Sequence, residues 1–348
     1  MPDKHGVFRK MLEKSSREFR PYRAMLEVTN RCDQACLFCY ILKEKIADPP
    51  LSRLKEYIER LASEGVLELT ITGGEPFLRD DLYEICECAD KNGFCITLFS
   101  NASAAKPEII EKLSPLSIRS VEMTIFDTRP EVHDGFTRKK GAFDSALRNI
   151  MLMKDKGLNP VIKTPLVKQN FDRHVIIHEY FKKLGIKQRS SFETLCASGS
   201  SYKDAICKKE EYTTFFSNWR NMPGNRDFPD DYYCPVDSYP GEQVCKGGAN
   251  MIAVSPWGDI FPCPSLRHKT ADLNSPVPLT EQLRNSPLLK EIHSIAVNDI
   301  EKCRECSLNT YCKSCPSSSF LATGSYFKPS PVLCRAAEGY YAAFYPES

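Results

Sequence analysis

An α/β fold of parallel strands, followed by a cysteine-rich C-terminal unit, is what this sequence predicts, and three observations carry it. Extended and helical segments alternate over residues 21–200. The polar and glycine-bearing stretches of that region each follow an extended segment. Of sixteen cysteines, three fall within 32–39 and eight between Cys234 and Cys334.

Taken in order, residues 1–20 form an N-terminal extension, and the candidate strands are 23–29, 67–72, 94–100, 119–125, 160–166 and, weakest, 188–194. Leu67, Leu69 and Ile71 alternate with Glu68 and Thr70, the period of a strand. Leu51, Leu54, Ile58 and Leu61 recur at helical spacing, as do Leu82, Ile85, Cys86 and Ala89, and later Phe143, Leu147, Ile150 and Met151. Gly65, Gly93, Gly157 and Gly185 stand between helix and next strand, where helix C-termini favour glycine. Such alternation implies right-handed crossovers and a parallel sheet or barrel. Six units are fewer than the eight that close a full barrel, and ligands of such folds bind at the carboxyl ends of the strands. Residues 201–232 read as a connector, and 233–348 as the cysteine-rich domain. Within it, 251–263 has two apolar runs around Pro256–Asp259, a hairpin that brings Cys263 back beside Cys245.

Composition limits the function. Of 348 residues, 42% are apolar and 26% charged, the mix of a globular protein, and a net charge of +2 argues against a nucleic-acid partner. No run of about 18 apolar residues occurs and the N-terminus has no signal-peptide core, so the expectation is no membrane partner and a cytoplasmic location. Thiols stay reduced there, which turns the cysteines toward metal or redox work.

Cys32, Cys36 and Cys39 lie in a loop after the first strand, in "CDQACLFC". A disulfide framework prefers an even count, and a structural zinc site wants four ligands. Three thiolates on an iron–sulfur cube leave one iron open to an outside ligand. "TGGEP" (72–76), "SNAS" (100–103) and the stretch 124–138 follow the next three strands, so all four segments share one mouth. Gly73 and Gly74 allow close backbone approach to a small charged ligand, and Glu75 can accept from its ammonium group.

These residues resemble the radical S-adenosylmethionine (AdoMet) superfamily: "CDQACLFC" is similar to its CxxxCxφC cluster motif and "GGEP" to its methionine-binding motif. The resemblance implies a partial (β/α)6 TIM-like barrel over 21–200, in which a [4Fe–4S] cluster passes an electron to AdoMet and yields a 5′-deoxyadenosyl radical that abstracts hydrogen. By position it also implies cofactor contacts from Phe38 beside the cluster, Thr124 in place of a strand-end serine, Arg138 at the AdoMet carboxylate, and Leu195 against adenine.

The second array, Cys245, Gly258, Cys263, "CRECSLNTYCKSC" (303–315) and Cys334, is too tightly spaced for a zinc ribbon. It resembles the SPASM iron–sulfur extension of radical SAM enzymes. That resemblance implies two auxiliary [4Fe–4S] clusters, three in all: Cys245, Cys263 and Cys315 on the first, with Cys234 as the candidate fourth ligand, and Cys303, Cys306, Cys312 and Cys334 on the second. The function expected is a maturase acting on a peptide or protein, by thioether, C–C or C–O crosslinking of a ribosomally made peptide. Formylglycine formation in a sulfatase, with Asp127 as candidate catalytic base, is one alternative; a small-molecule substrate such as a tetrapyrrole is another; an iron–sulfur or zinc partner-binding protein is the non-enzymatic one. A flavodoxin- or ferredoxin-type reductant is implied, and leader-peptide recognition falls to a separate protein or to the open side of the barrel.

Overall fold

The computed structural model describes residues 6–37, 39, 41, 47–191, 207–221, 244–312 and 314–346. Helix α1 (Gly6–Glu18) leads into β1 (Arg23–Glu27), and α2 (Leu51–Ser63) into β2 (Glu68–Thr72). The alternation continues through α3 (Leu82–Lys91), β3 (Cys95–Ser100), α4 (Pro107–Leu113), β4 (Ile118–Thr124), α5 (Pro130–Thr137), α6 (Ala142–Asp155), β5 (Pro160–Pro165), α7 (His174–Lys183) and β6 (Lys187–Ser191). Strands β1 to β6 lie side by side in chain order, every neighbour parallel. This is the parallel order that the alternation predicts, and the partial (β/α)6 barrel that the resemblance implies. Each strand but the last turns its most apolar residues to the helices: Leu26, Leu69, Ile71, Ile96, Leu98, Val121 and Ile162 pack with Leu54, Ile58, Leu61, Ile85 and Ile150. Full burial of one such side chain stabilises by roughly 1.5–3 kcal/mol. The glycines expected at helix ends are there, Gly65 at φ +91° and Gly185 at φ +66° among them.

The C-terminal part does not stand apart. After α8 (Lys209–Asn221), strand β7 (Met251–Val254) pairs in parallel with the free edge of β1, Met251 opposite Arg23. Strands β8 (Asp259–Phe261) and β9 (Ala271–Asp272) follow antiparallel, giving nine strands among the described residues. The hairpin expected over 251–263 is β7–β8, and its Ile252, Val254 and Ile260 share the core of β1 and α2. Arg60 of α2 donates to the carbonyls of Leu273 (2.6 Å), Val277 (2.6 Å) and Ser275, strapping the extension down.

Four further helices, α9 (Leu279–Asn285), α10 (Pro287–Ser294), α11 (Pro316–Thr323) and α12 (Pro331–Phe344), complete the chain. The segment expected as a connector holds a core helix: Tyr212, Phe215 and Phe216 of α8 are buried against α12. Gly339 on α12 allows that contact, since a Cβ there would stand 2.3 Å from the Cβ of Tyr212. Cys86, Cys88 and Cys207 are buried in apolar packing, as core filling requires. Among the described residues no helix is long and apolar enough to cross a membrane.

Candidate active site

The cysteine loop leaves the C-terminal end of β1 and is tied down on both sides. Beyond the paired strands, Gly74 N donates to Thr29 O and Glu75 N to Arg31 O, both at 2.8 Å, so the two chains run on in contact. That contact explains the glycines. A Cβ on Gly73 would stand 2.4 Å from Thr29 O, and one on Gly74 2.2 Å from Arg31 O. At the base of the loop Asp48 accepts from Thr29 Oγ1 (2.6 Å) and Arg31 Nε (2.7 Å). Arg79 is buried there and donates to Val28 O and Pro49 O. On the far side Ala35 N and Leu37 N donate to Thr137 O and Phe136 O at the end of α5.

Asp33, between the first two cysteines, is the hub of this anchorage. It accepts from Asn101 Nδ2 (2.8 Å), Ser103 Oγ (2.8 Å) and Lys139 Nζ. Burial works against its charge, yet these hydrogen bonds and the lysine's charge hold it below the usual carboxylate range. Asn101 Nδ2 also lies 3.9 Å from Cys32 Sγ. Sequence reasoning named none of Asp33, Asp48, Asn101 and Lys139. A short acceptor inside a ligand loop, facing "SNAS" at the end of β3, was the signal to find the first.

Glu75 is held from inside the fold. It is 0% exposed, and its oxygens take Phe77 N (3.0 Å), Ser100 Oγ (2.8 Å) and Asn101 N (2.7 Å). Its carboxylate therefore knits the ends of β2 and β3 together, with Oε2 taking one donor, Asn101 N. Burial nevertheless pushes its pKa up to about 7, against the three donors. Asp127 corrects an expectation. It is 0% exposed, and Arg129 closes on it through N (2.9 Å), Nε (3.1 Å) and a guanidinium nitrogen (2.8 Å). Burial opposes its charge, but these bonds hold it below the usual carboxylate range, so it has no free oxygen at the mouth to serve as a base.

Thr124 is the last residue of β4, half-buried, in register with Lys163 of β5. Arg138 caps α5 in the left-handed region (φ 53°), is exposed, and pairs with no acid among the described residues. The turn that presents it is built by its neighbours. Buried His133 accepts at Nδ1 from Phe126 N (3.2 Å), and burial pushes its pKa down to about 4. Asp134 receives Gly141 N (2.5 Å) and Phe143 N (3.0 Å). Phe38, Leu195 and Cys234 lie outside the described residues.

The cysteines fit iron–sulfur clusters better than single ions. Cys32, Cys36 and Cys39 are half-buried in the anchored loop. Cys303, Cys312, Cys315 and Cys334 line one small cavity. Burial, and the nearby charges of Cys334, Cys303 and Cys306, push the Cys312 thiol up to about 12; burial, with Cys303 and Cys306, raises Cys334 to about 11. Crowded buried thiols of this kind need a cationic centre to ionise. Burial, opposed by Gly247 N and aided by Cys263, raises Cys245 to about 11, and both residues pack against one apolar cluster with Leu266 and Ile292. The cavity puts Cys315 beside the second set, whereas the SPASM resemblance gives it to the first. Among the described residues no three Cys, His, Asp or Glu side chains converge on a point that one tetrahedral ion would require. A cube spreads its thiolates over separate irons and makes no such demand.

Residues 26–179 match the model of the Radical SAM superfamily. The AdoMet-dependent heme synthase of Methanosarcina barkeri is 23% identical over 332 residues, covering 88% of this chain and 94% of the relative. The subtilosin biosynthesis protein AlbA of Bacillus subtilis is 25% identical over 310 residues, covering 86% and 68%. The solved structure of anSMEcpe with bound AdoMet and Cp18Cys peptide superposes with a TM-score of 0.72 at 16% identity, covering 94% of this chain and 97% of that one. Those matches, with the cysteine loop at the mouth of a six-stranded partial barrel, make residues 26–179 a radical SAM domain, and the chain an enzyme that acts on AdoMet and carries a SPASM-type extension.

Proposed function

We propose that the enzyme modifies a peptide or protein side chain by radical chemistry, with oxidative crosslinking of a ribosomally made peptide as its product. A cluster on Cys32, Cys36 and Cys39, when bound, supplies the electron that cleaves AdoMet to methionine and a 5′-deoxyadenosyl radical. Gly73 and Gly74 let the loop close around the cofactor, Thr124 and Arg138 hold its methionine part, and Phe38 and Leu195 cover it. Abstraction of hydrogen gives 5′-deoxyadenosine and a substrate radical; forming the new bond then releases one proton and one electron. Cys245, Cys263, Cys315 and Cys234, and Cys303, Cys306, Cys312 and Cys334, would hold two further iron–sulfur centres, which would supply an acceptor for that electron. A small flavodoxin- or ferredoxin-type protein supplies the first one, and a separate protein presents the leader peptide.

The observation that carries this reading is the shared mouth: the cysteine loop, the glycines and Thr124 all follow or end strands at the C-terminal side of one parallel sheet. A tetrapyrrole substrate is the second reading, favoured by the heme synthase whose length this chain nearly spans. Anaerobic reconstitution, dithionite and AdoMet test the chemistry: 5′-deoxyadenosine is expected, with about 12 irons per chain. Changing Cys32, Cys36 and Cys39 together to alanine should abolish release and remove about one third of the iron. Co-expression with the peptide encoded beside the gene should remove the mass of two hydrogens from that peptide. An unmodified peptide together with a modified porphyrinogen would move the assignment to the second reading.

A further inference from the structure

The concave face of the sheet carries a charge pattern that its own residues do not balance. Along β6, Gln188 and Ser190 are buried toward α7, where Gln188 meets His178 at 3.2 Å. Lys187, Arg189 and Ser191 therefore point to the opposite, concave side, and all three are exposed. On the other strands each acid of that face meets a base. Glu68 holds Arg23 (2.8 Å) and Arg119 (3.0 Å), Glu27 holds Arg267, and Glu122 holds Lys163. Lys163 also lies over the Phe99 ring, 3.8 Å from its centre. Lys187 and Arg189 meet no acid among the described residues.

Register places this surplus charge. Thr124 is opposite Lys163, and Lys163 is opposite Arg189, so the three form one row across β4, β5 and β6. Two strand spacings put Arg189 about 10 Å from Thr124. An arginine on a concave wall attracts anions, and its planar fork matches a carboxylate.

We propose that Arg189, supported by Lys187, is a carboxylate-binding site that seats the substrate, about 10 Å across the face from Thr124 at the cofactor's methionine part. The inference rests on the preceding reading that substrate lies against this face, and it narrows the substrate class to one bearing a carboxylate. In an extended peptide that carboxylate is an acidic side chain a few residues from the modified one. In a macrocycle it is a propionate arm.

The test uses the reconstituted full chain and its Arg189→Gln variant, with Lys187→Gln as a second variant on the same wall. Iron content and melting temperature check folding. One arm measures fluorescence binding of a porphyrin with four propionates against its tetramethyl ester. The other measures binding to decapeptides with glutamate placed at each position in turn, against glutamine at the same position. Preference for the charged probe of about tenfold or more in the wild type, lost in Arg189→Gln and reduced in Lys187→Gln, is expected. Preference in the peptide arm identifies an acidic peptide, and in the porphyrin arm a carboxylated macrocycle. No charge preference in either arm, or a preference that survives Arg189→Gln, overturns the proposal. Release of 5′-deoxyadenosine by the wild type is measured alongside, so failure of the radical reading is read separately from failure of this site.

Discussion

Replacing Gly74 with alanine probes whether the glycine pair exists to let the cysteine loop close. The added Cβ would lie 2.2 Å from Arg31 O, 2.6 Å from Arg31 C and 2.8 Å from Asn30 O, all backbone atoms of the segment entering Cys32. No side chain can rotate to relieve this, so the loop must retreat by about 1 Å to regain ordinary contact. Overpacking of that order costs about 1–3 kcal/mol, and the Glu75 N to Arg31 O hydrogen bond would lengthen, adding about 1 kcal/mol. Gly93 supplies the control. Its φ is +79° but a Cβ there meets nothing within 4 Å, so Gly93→Ala bears only the backbone cost of about 1–2 kcal/mol. Denaturant unfolding of both apo-proteins measures the stability difference, and iron retained after reconstitution measures the loop. Gly74→Ala is expected to lose at least as much stability as Gly93→Ala and, unlike it, about one third of the iron. Equal iron in the two variants would refute the close-approach argument.

Two other perturbations follow from buried charge. Burial raises the folded pKa of Glu75 from its ordinary 4.5 to about 7, so between these values the native state binds more protons than the unfolded chain. The part of the stability that Glu75 contributes should therefore fall as pH rises through that window, by up to about 3 kcal/mol, while His133, pushed down to about 4, acts in the opposite direction on wild type and Glu75→Gln alike. The stability difference between the two proteins should change by that amount, and parallel pH profiles would contradict it. Arg267 forks onto Glu27 (2.5 and 2.9 Å) and lies over Phe261, with Glu27 1% exposed. Arg267→Met should cost about 3–5 kcal/mol by leaving that carboxylate alone, while adding Glu27→Gln should recover most of the loss in chemical denaturation.

The barrel was legible because its signals are local. Period-two and period-3.6 patterns locate β1 to β6 within a few residues, and even the weak sixth strand is present, as Lys187–Ser191. What escaped depends on partners distant in sequence. Nothing in "MIAV" says that β7 will extend the sheet at β1 rather than form its own core. Nothing in 209–221 says that its aromatics meet Gly339 on the last helix. At the site, the cysteines and glycines were legible because ligand spacing and small size are written in residue type. Glu75 and Asp127 were misread for the opposite reason: a carboxylate at a strand end serves equally as a ligand contact or as a buried clamp. Only the donors around it, Ser100 and Asn101 for one and Arg129 for the other, decide which.

The extension's attachment to β1 gives the concave face two ends of different character. Cys32 to Cys39 follow the C-terminal end of β1. Met251 starts β7 opposite Arg23, the first residue of β1, so Cys245, just upstream, and Cys263, where β8 returns, lie past its N-terminal end. Five strand residues separate the ends, about 17 Å. A substrate on the face between them can be activated from one end and relieved of an electron at the other, and a closed route of this kind makes a distinct prediction. Changing Cys245 and Cys263 together to alanine should lower product formed per 5′-deoxyadenosine released, because substrate radicals then lack their acceptor and are quenched back. If the ratio of product to 5′-deoxyadenosine stays at the wild-type value while the iron of that centre is gone, electrons leave by another path, and the placement of the hairpin serves packing alone.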